Sequence, residues 1–415
     1  MHRTATRAAA LTALALAGAL ALASCSNAGD GGDTPDDASG VSFGATIEEY
    51  RAAFEDVEPI TLRMQVDQGP GGEGNKGRIA YAEALEEWSD GKITVEIGEA
   101  NAFVPDASQW AAAYRDGRLD IGLLLPSYTP EVFPLNSAVS DASIIVGSRP
   151  AETLVSSGWM SQVVADDDAL VQEFTDEGIH PLVPAMPASS TTILVCSEPG
   201  TTLADFSGRS ASVSGYGKTA QVQALGMNAV SMPFTDQYEA LERGVIDCAA
   251  TSPQATQAGG LEPLVPYGIA DTQVSLTTTS SSFVAGSVWD DLPLVARQLL
   301  FDRLDVLLAV DVPAAATRVA QLADALEAAG GGFEEFGADA RAVITETNER
   351  LLAEIGDTGA DVGAFEAARD RWNGIVFDEL GVYDGPDVRA FVAQVDAARW
   401  ADALLETALQ PLRPE

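Results

Sequence analysis

The stretch from Gly208 to Pro253 constrains the architecture more than any other. It reads GRSASVSGYGKTAQVQALGMNAVSMPFTDQYEALERGVIDCAATSP. Ala211 and Val213 alternate with polar residues, as in a half-buried strand, and Gly215-Tyr216-Gly217 turns the chain. A helical stretch follows, then the apolar pair Val230 and Met232, then a helix over Thr235–Arg243. Gly244 stops that helix, and Val245-Ile246-Asp247 opens the next strand. Strand–helix–strand–helix–strand implies an α/β layer with parallel strands. Ligands of such layers bind beyond the carboxyl ends of the strands. Here those ends carry Ser212, Ser214, Tyr216, Thr251 and Ser252.

The same device stands earlier in the chain. Trp110 to Leu124 reads WAAAYRDGRLDIGLL, a helix stopped by Gly117 and followed at once by Leu119-Asp120-Ile121. Both copies share Arg-(Asp)-Gly-x-x-Asp at a helix end, where a glycine takes the left-handed turn at little cost. The repetition predicts two similar lobes, and 415 residues with 46% hydrophobic content can fill two cores.

Asp and Glu number 62 against 23 Lys and Arg, a net charge of −39. That excludes nucleic acid as a partner, because phosphates need basic residues. It also excludes adsorption to anionic headgroups. The reading is a solvated acidic surface.

The first residues read as a leader. His2, Arg3 and Arg7 precede an apolar run, Ala8–Ala21, that is short for a membrane span. It closes in Leu22-Ala23-Ser24-Cys25, which resembles the lipobox of bacterial lipoproteins, so residues 1–25 read as signal peptide and lipobox, with cleavage expected before Cys25 and lipidation on it. Residues 26–40 have almost no bulky apolar side chain and read as a disordered tether, with a reach of roughly 20 Å. A short helix within 44–57 completes the segment 26–58. The remaining cysteines, Cys196 and Cys248, lie in or beside predicted strands and fit either a disulfide or two buried thiols.

Strands are expected at Ile60–Val66, Ile93–Ile97, Ile179–Met186, Thr192–Ser197 and Gln273–Phe283. Helices are expected at Arg78–Trp88, Ala151–Phe174, Leu292–Ala329 with a kink at Pro313, Ala338–Ile355, Val362–Phe377 and Pro386–Leu409. Residues 126–150 and 254–272 read as irregular. No enzyme constellation emerges: His180 is the one histidine beyond the leader, no Gly-x-Ser-x-Gly elbow or phosphate loop occurs, and no spacing of metal ligands or cofactor motif is present.

In order, the segments WSDGKITVEI, YRDGRLDIG, LADFSGRSASV, LGMNAVSMPFTDQYEALERGVIDC and VWDDLPLVARQLL resemble the solute-binding proteins of tripartite ATP-independent periplasmic (TRAP) transporters, the C4-dicarboxylate-receptor type, over about Ile60–Ile355. The resemblance implies an α/β fold of two lobes, periplasmic-binding-protein-like, with crossing strands and a long kinked interlobe helix. The first lobe would span 59–188, with about 273–312 returning to it. The second would span 189–272 with about 313–385, and 386–415 would be a C-terminal helical tail. The implied function is capture of a small polar solute between the lobes, outside the cytoplasm, and its delivery to integral-membrane permease subunits. A solute-sensing lipoprotein acting on a signalling partner is the alternative.

The resemblance also exposes departures. An arginine that grips a ligand carboxylate in that family falls at Ser212 here, a second basic position falls near Thr192, and an asparagine position falls near Thr251. Hydroxyls at all three predict a neutral or cationic solute. The expected site is Asp67 and Gln68 after the first strand, then Thr192, Ser212, Thr251 and Ser252, with an aromatic wall from Tyr128, Trp159 or Tyr216. The competing expectation is a carboxylate held by Arg63, Lys218 or a helix N-terminus.

Overall fold

The computed structural model describes residues 40–187, 191–232 and 236–415. The leader, Cys25, most of the tether and the first residue of the helix expected at Thr235–Arg243 lie outside them.

The strands form two sheets. The first contains β1 (Ile60–Gln65), β2 (Ile93–Gly98), β3 (Ile121–Leu124), β4 (His180–Val183) and, from far along the chain, β10 (Ser282–Ala285). Its order is β2-β1-β3-β10-β4. The second contains β5 (Ile193–Cys196), β6 (Ser210–Val213), β7 (Asn228–Ser231), β8 (Cys248–Thr251), β9 (Tyr267–Ile269) and β11 (Gly332–Glu334), in the order β11-β9-β5-β8-β6-β7. In the first sheet β1 runs parallel to β2 and β3, and β10 lies antiparallel to β3 and β4. In the second, β6 runs parallel to β7 and β8, and β5 lies antiparallel to β8 and β9.

The repeated sequence device builds the same joint in both sheets. Gly117 and Gly244 take φ of 66° and 65°, in the region that favours glycine. The Asp120 carboxylate then accepts the Arg63 backbone N–H at 2.7 Å, and Asp247 accepts that of Ser210 at 2.8 Å. Each aspartate N–H donates back to the same residue's carbonyl at 2.8 Å. The helix–Gly–Asp unit thus pins each incoming strand to its parallel neighbour.

Two clusters pack the faces of the second sheet. Leu194, Ala211, Val213 and Ala250 belong to one, and Val195, Ala249, Ile246 and Leu261 to the other. A larger core surrounds the first sheet and takes in Trp159, Phe283, Trp372 and Trp400. The helix Leu304–Ala328 serves both lobes: Leu304, Leu307, Leu308 and Val312 lie in the first core, and Leu322 and Leu326 in the second lobe's. Pro313 sits inside it.

Cys196 and Cys248 face each other across β5 and β8 and are joined as a disulfide, with Cα atoms 4.1 Å apart. A second fastening joins the two ends of the described chain. Arg413 donates to both oxygens of Asp302, at 2.8 and 3.0 Å, and to the Val41 carbonyl at 3.1 Å. Tyr50 donates its hydroxyl to Asp302 at 2.6 Å.

Several expected elements differ. Residues 126–150, read as irregular, contain the helix Pro134–Asp141, whose leading proline is preset for a first turn. Residues 254–272 contain the helix Pro253–Ala258, capped by the Ser252 hydroxyl, and also β9. The expected strand Gln273–Phe283 pairs only from Ser282 onward. Long expected helices break where a capping side chain restarts the ladder: Asp167 divides Glu152–Asp166 from Asp168–Thr175, and Asp396 divides Val388–Gln394 from Ala397–Leu404. Leu292–Ala329 divides at Arg303. Segment 362–385, expected with the second lobe, packs on the first core through Phe365, Trp372, Val376 and Val382. Gly158 admits this packing, because a Cβ there would lie 2.2 Å from the Trp372 ring.

Candidate functional site

The carboxyl ends of the parallel strands in both sheets meet at one cavity of about 170 Å³. Asp67 reaches it just beyond β1, Asn101 and Pro105 beyond β2, and Leu125 and Tyr128 beyond β3. From the second sheet come Ser214 and Lys218 after β6, Met232 after β7, and Thr251 and Ser252 at the end of β8. Thr278, Thr279 and Ser281 line it from the segment that crosses to β10. This is where open α/β sheets place ligands.

Five of the residues expected from sequence therefore share the cavity: Asp67, Tyr128, Thr192, Thr251 and Ser252. Four do not. Trp159 is fully buried beside Phe365, ring centres 5.7 Å apart, within the first core. Tyr216 is 60% exposed and donates its hydroxyl to Glu354 at 2.9 Å. Ser212 is buried in the second sheet and absent from the lining. Gln68 turns back to accept the Gly74 N–H at 2.7 Å and lines a separate open groove. Arg63, the competing anchor, donates to the Gly117 carbonyl on the helix–Gly joint and is absent from the lining.

Asp67 is engaged on both sides. Arg78 pairs with one oxygen, and the Gln254 amide donates to the other. Burial acts to raise the Asp67 pKa, but Arg78 and these hydrogen bonds hold it below the usual carboxylate value. The Gln254 contact crosses between lobes, since Asp67 follows β1 and Gln254 lies on the helix after β8. Lys218 is turned inward, 5% exposed, and donates to Thr279 at 2.7 Å and more weakly to Ser214 at 3.4 Å. Burial lowers its pKa to about 8, opposed by the charge of Asp141. Tyr128 is pushed up by burial.

Sequence reasoning missed Trp110, Gln237 and Gln254 in the lining and named Lys218 only in the competing expectation. Trp110 had a usable signal: it heads the helix that follows the loop after β2. No cluster of three or more metal-ligating side chains occurs among the described residues. His180 stacks on Trp289 and contacts Asp290 at 3.3 Å, away from the cavity lining.

Residues 76–358 match the family model described as bacterial extracellular solute-binding protein, family 7. No curated protein matches the sequence. Solved structures show the same fold. The sugar acid binding protein of Advenella mimigardefordensis, in complex with galactonate, is 20% identical with a TM-score of 0.64, covering 76% of this chain and 100% of its own. A marine metagenome TRAP solute-binding protein specific for pyroglutamate is 16% identical with a TM-score of 0.63, covering 76% and 99%. A TRAP periplasmic solute-binding protein of Sulfitobacter, with bound galacturonate, is 16% identical with a TM-score of 0.60, covering 74% and 99%.

Proposed function

Because the chain belongs to family 7 of the bacterial extracellular solute-binding proteins, we propose that it captures a small organic acid in the cavity between its sheets and hands it to a TRAP-type membrane permease. One observation carries this reading: a single cavity is lined by strand ends of both lobes and is bridged by the Asp67–Gln254 contact. Such a site can close on a solute and reopen to release it. The relatives named above hold pyroglutamate, galactonate and galacturonate. The neutral or cationic solute suggested by an arginine-free strand loses its ground once Lys218 faces inward.

Closure is tested by small-angle scattering. The radius of gyration falls when a binding solute is added at saturation, and a radius that does not change removes lobe closure from the mechanism. Membrane tethering through Cys25 is part of the proposal and rests on the Leu22-Ala23-Ser24-Cys25 sequence. Cys25→Ala then shifts the protein from the membrane fraction to the soluble fraction or leaves an uncleaved precursor. Mature, membrane-bound Cys25→Ala protein would exclude that attachment.

A further inference from the structure

The solute's charge follows from how one side chain is buried. Lys218 stands in the first turn and a half of the helix Tyr216–Ala224, just past β6, and its ammonium reaches the cavity. An ammonium has three donors. Thr279 and Ser214 accept from it, and both are neutral hydroxyls. A buried cation held only by hydroxyls is unfavourable unless an anion joins it. The charged group that acts on it is Asp141, at the end of the helix Pro134–Asp141, and Asp67 shares the cavity lining with it. Asp141 is absent from the lining, and burial raises its own pKa to about 6. Asp67 is already engaged by Arg78 and Gln254.

Resting on the reading of this cavity as the solute site, we propose that Lys218 is the carboxylate anchor of a monoanionic solute, and that the cavity discriminates against dicarboxylates. Among the described lining residues Lys218 and Asp67 alone carry charge. Arg78 and Arg318 lie outside the lining. A first carboxylate completes Lys218. A second finds no cation and meets the Asp67 carboxylate. The rest of the lining suits an uncharged body with hydrogen-bond donors: Gln237 is 6% exposed with its Oε1 unpartnered, and Trp110, Tyr128 and Leu125 supply apolar wall.

Calorimetry on the mature protein tests this with pyroglutamate, galactonate, glucuronate and 3-hydroxybenzoate, the primary amide of each, a dicarboxylate set, neutral sugars and primary amines. The expected result is micromolar binding of a monocarboxylate, with its amide at least 100-fold weaker. Lys218→Met weakens it at least 100-fold, and Lys218→Arg restores affinity to within tenfold. Thermal unfolding of the ligand-free variants separates this loss from misfolding. The ammonium is charged below its pKa of about 8, so wild-type affinity falls as pH rises past that value, whereas Lys218→Arg affinity stays level. Preference for a dicarboxylate, sugar or amine, or full binding by Lys218→Met, overturns the inference while leaving the solute-site reading in place. Binding of no class overturns both.

Discussion

Replacing Arg413 by methionine lowers the unfolding free energy by about 3–5 kcal/mol, the range for removing one partner of a buried ion pair. The guanidinium side chain is 9% exposed and Asp302 is 3% exposed. Two hydrogen bonds join them, and Tyr50 adds a third to the same carboxylate. Burial and the Asp302 charge raise the Tyr50 pKa well above its ordinary value, so the phenol stays a donor. Methionine fills much of the arginine's volume, which confines the loss to charge and hydrogen bonding. The carboxylate would then be buried with only the phenol beside it. Chemical denaturation measures the change. Arg413→Met/Asp302→Asn recovers part of it, because the stranded charge is gone. A loss under about 1 kcal/mol for Arg413→Met would place the pair in the class of surface bridges.

The cystine carries an effect of similar size. Cys196 and Cys248 are separated by 52 residues, and closing a loop of that length in the unfolded chain corresponds to about 4 kcal/mol in the chain-entropy account. Both residues are buried within β5 and β8, so alanines at both positions keep the strand pairing and remove mainly the crosslink. Urea unfolding of Cys196→Ala/Cys248→Ala is expected at a clearly lower midpoint. Wild-type protein unfolded under reducing conditions should show the same shift. Equal midpoints for wild type and the double variant would show that β5–β8 pairing needs no covalent help.

What the sequence disclosed divides along a physical line. The helix–Gly–Asp joints are local: a left-handed glycine and an aspartate three residues on settle them, and the structure repeats them in both sheets. Thr192, Thr251 and Ser252 reach the cavity because strand ends in an α/β layer point to one rim. Side-chain direction on the following helix is not local. Tyr216 and Lys218 are two residues apart, which on a 3.6-residue helix puts them on nearly opposite faces. One turned inward obliges the other to turn out. The sequence reading favoured the aromatic ring. The structure decides otherwise through packing at Gly217, where a Cβ would lie 2.4 Å from the Thr277 hydroxyl. That close approach seats the helix against the crossing segment with Lys218 inward. Trp159 was misplaced for a related reason: its helix is covered by Phe365 and Trp372, which arrive from far along the chain.

The helix Leu304–Ala328 is embedded in both lobes at once, with leucines of its first half in one core and of its second half in the other. An α-helix resists bending, except where a proline removes a backbone donor, and Pro313 is that point here. Relative motion of the lobes is therefore channelled into few degrees of freedom. Binding then has few lobe orientations to order. Its contacts in the cavity then translate into affinity with only a small ordering penalty against them.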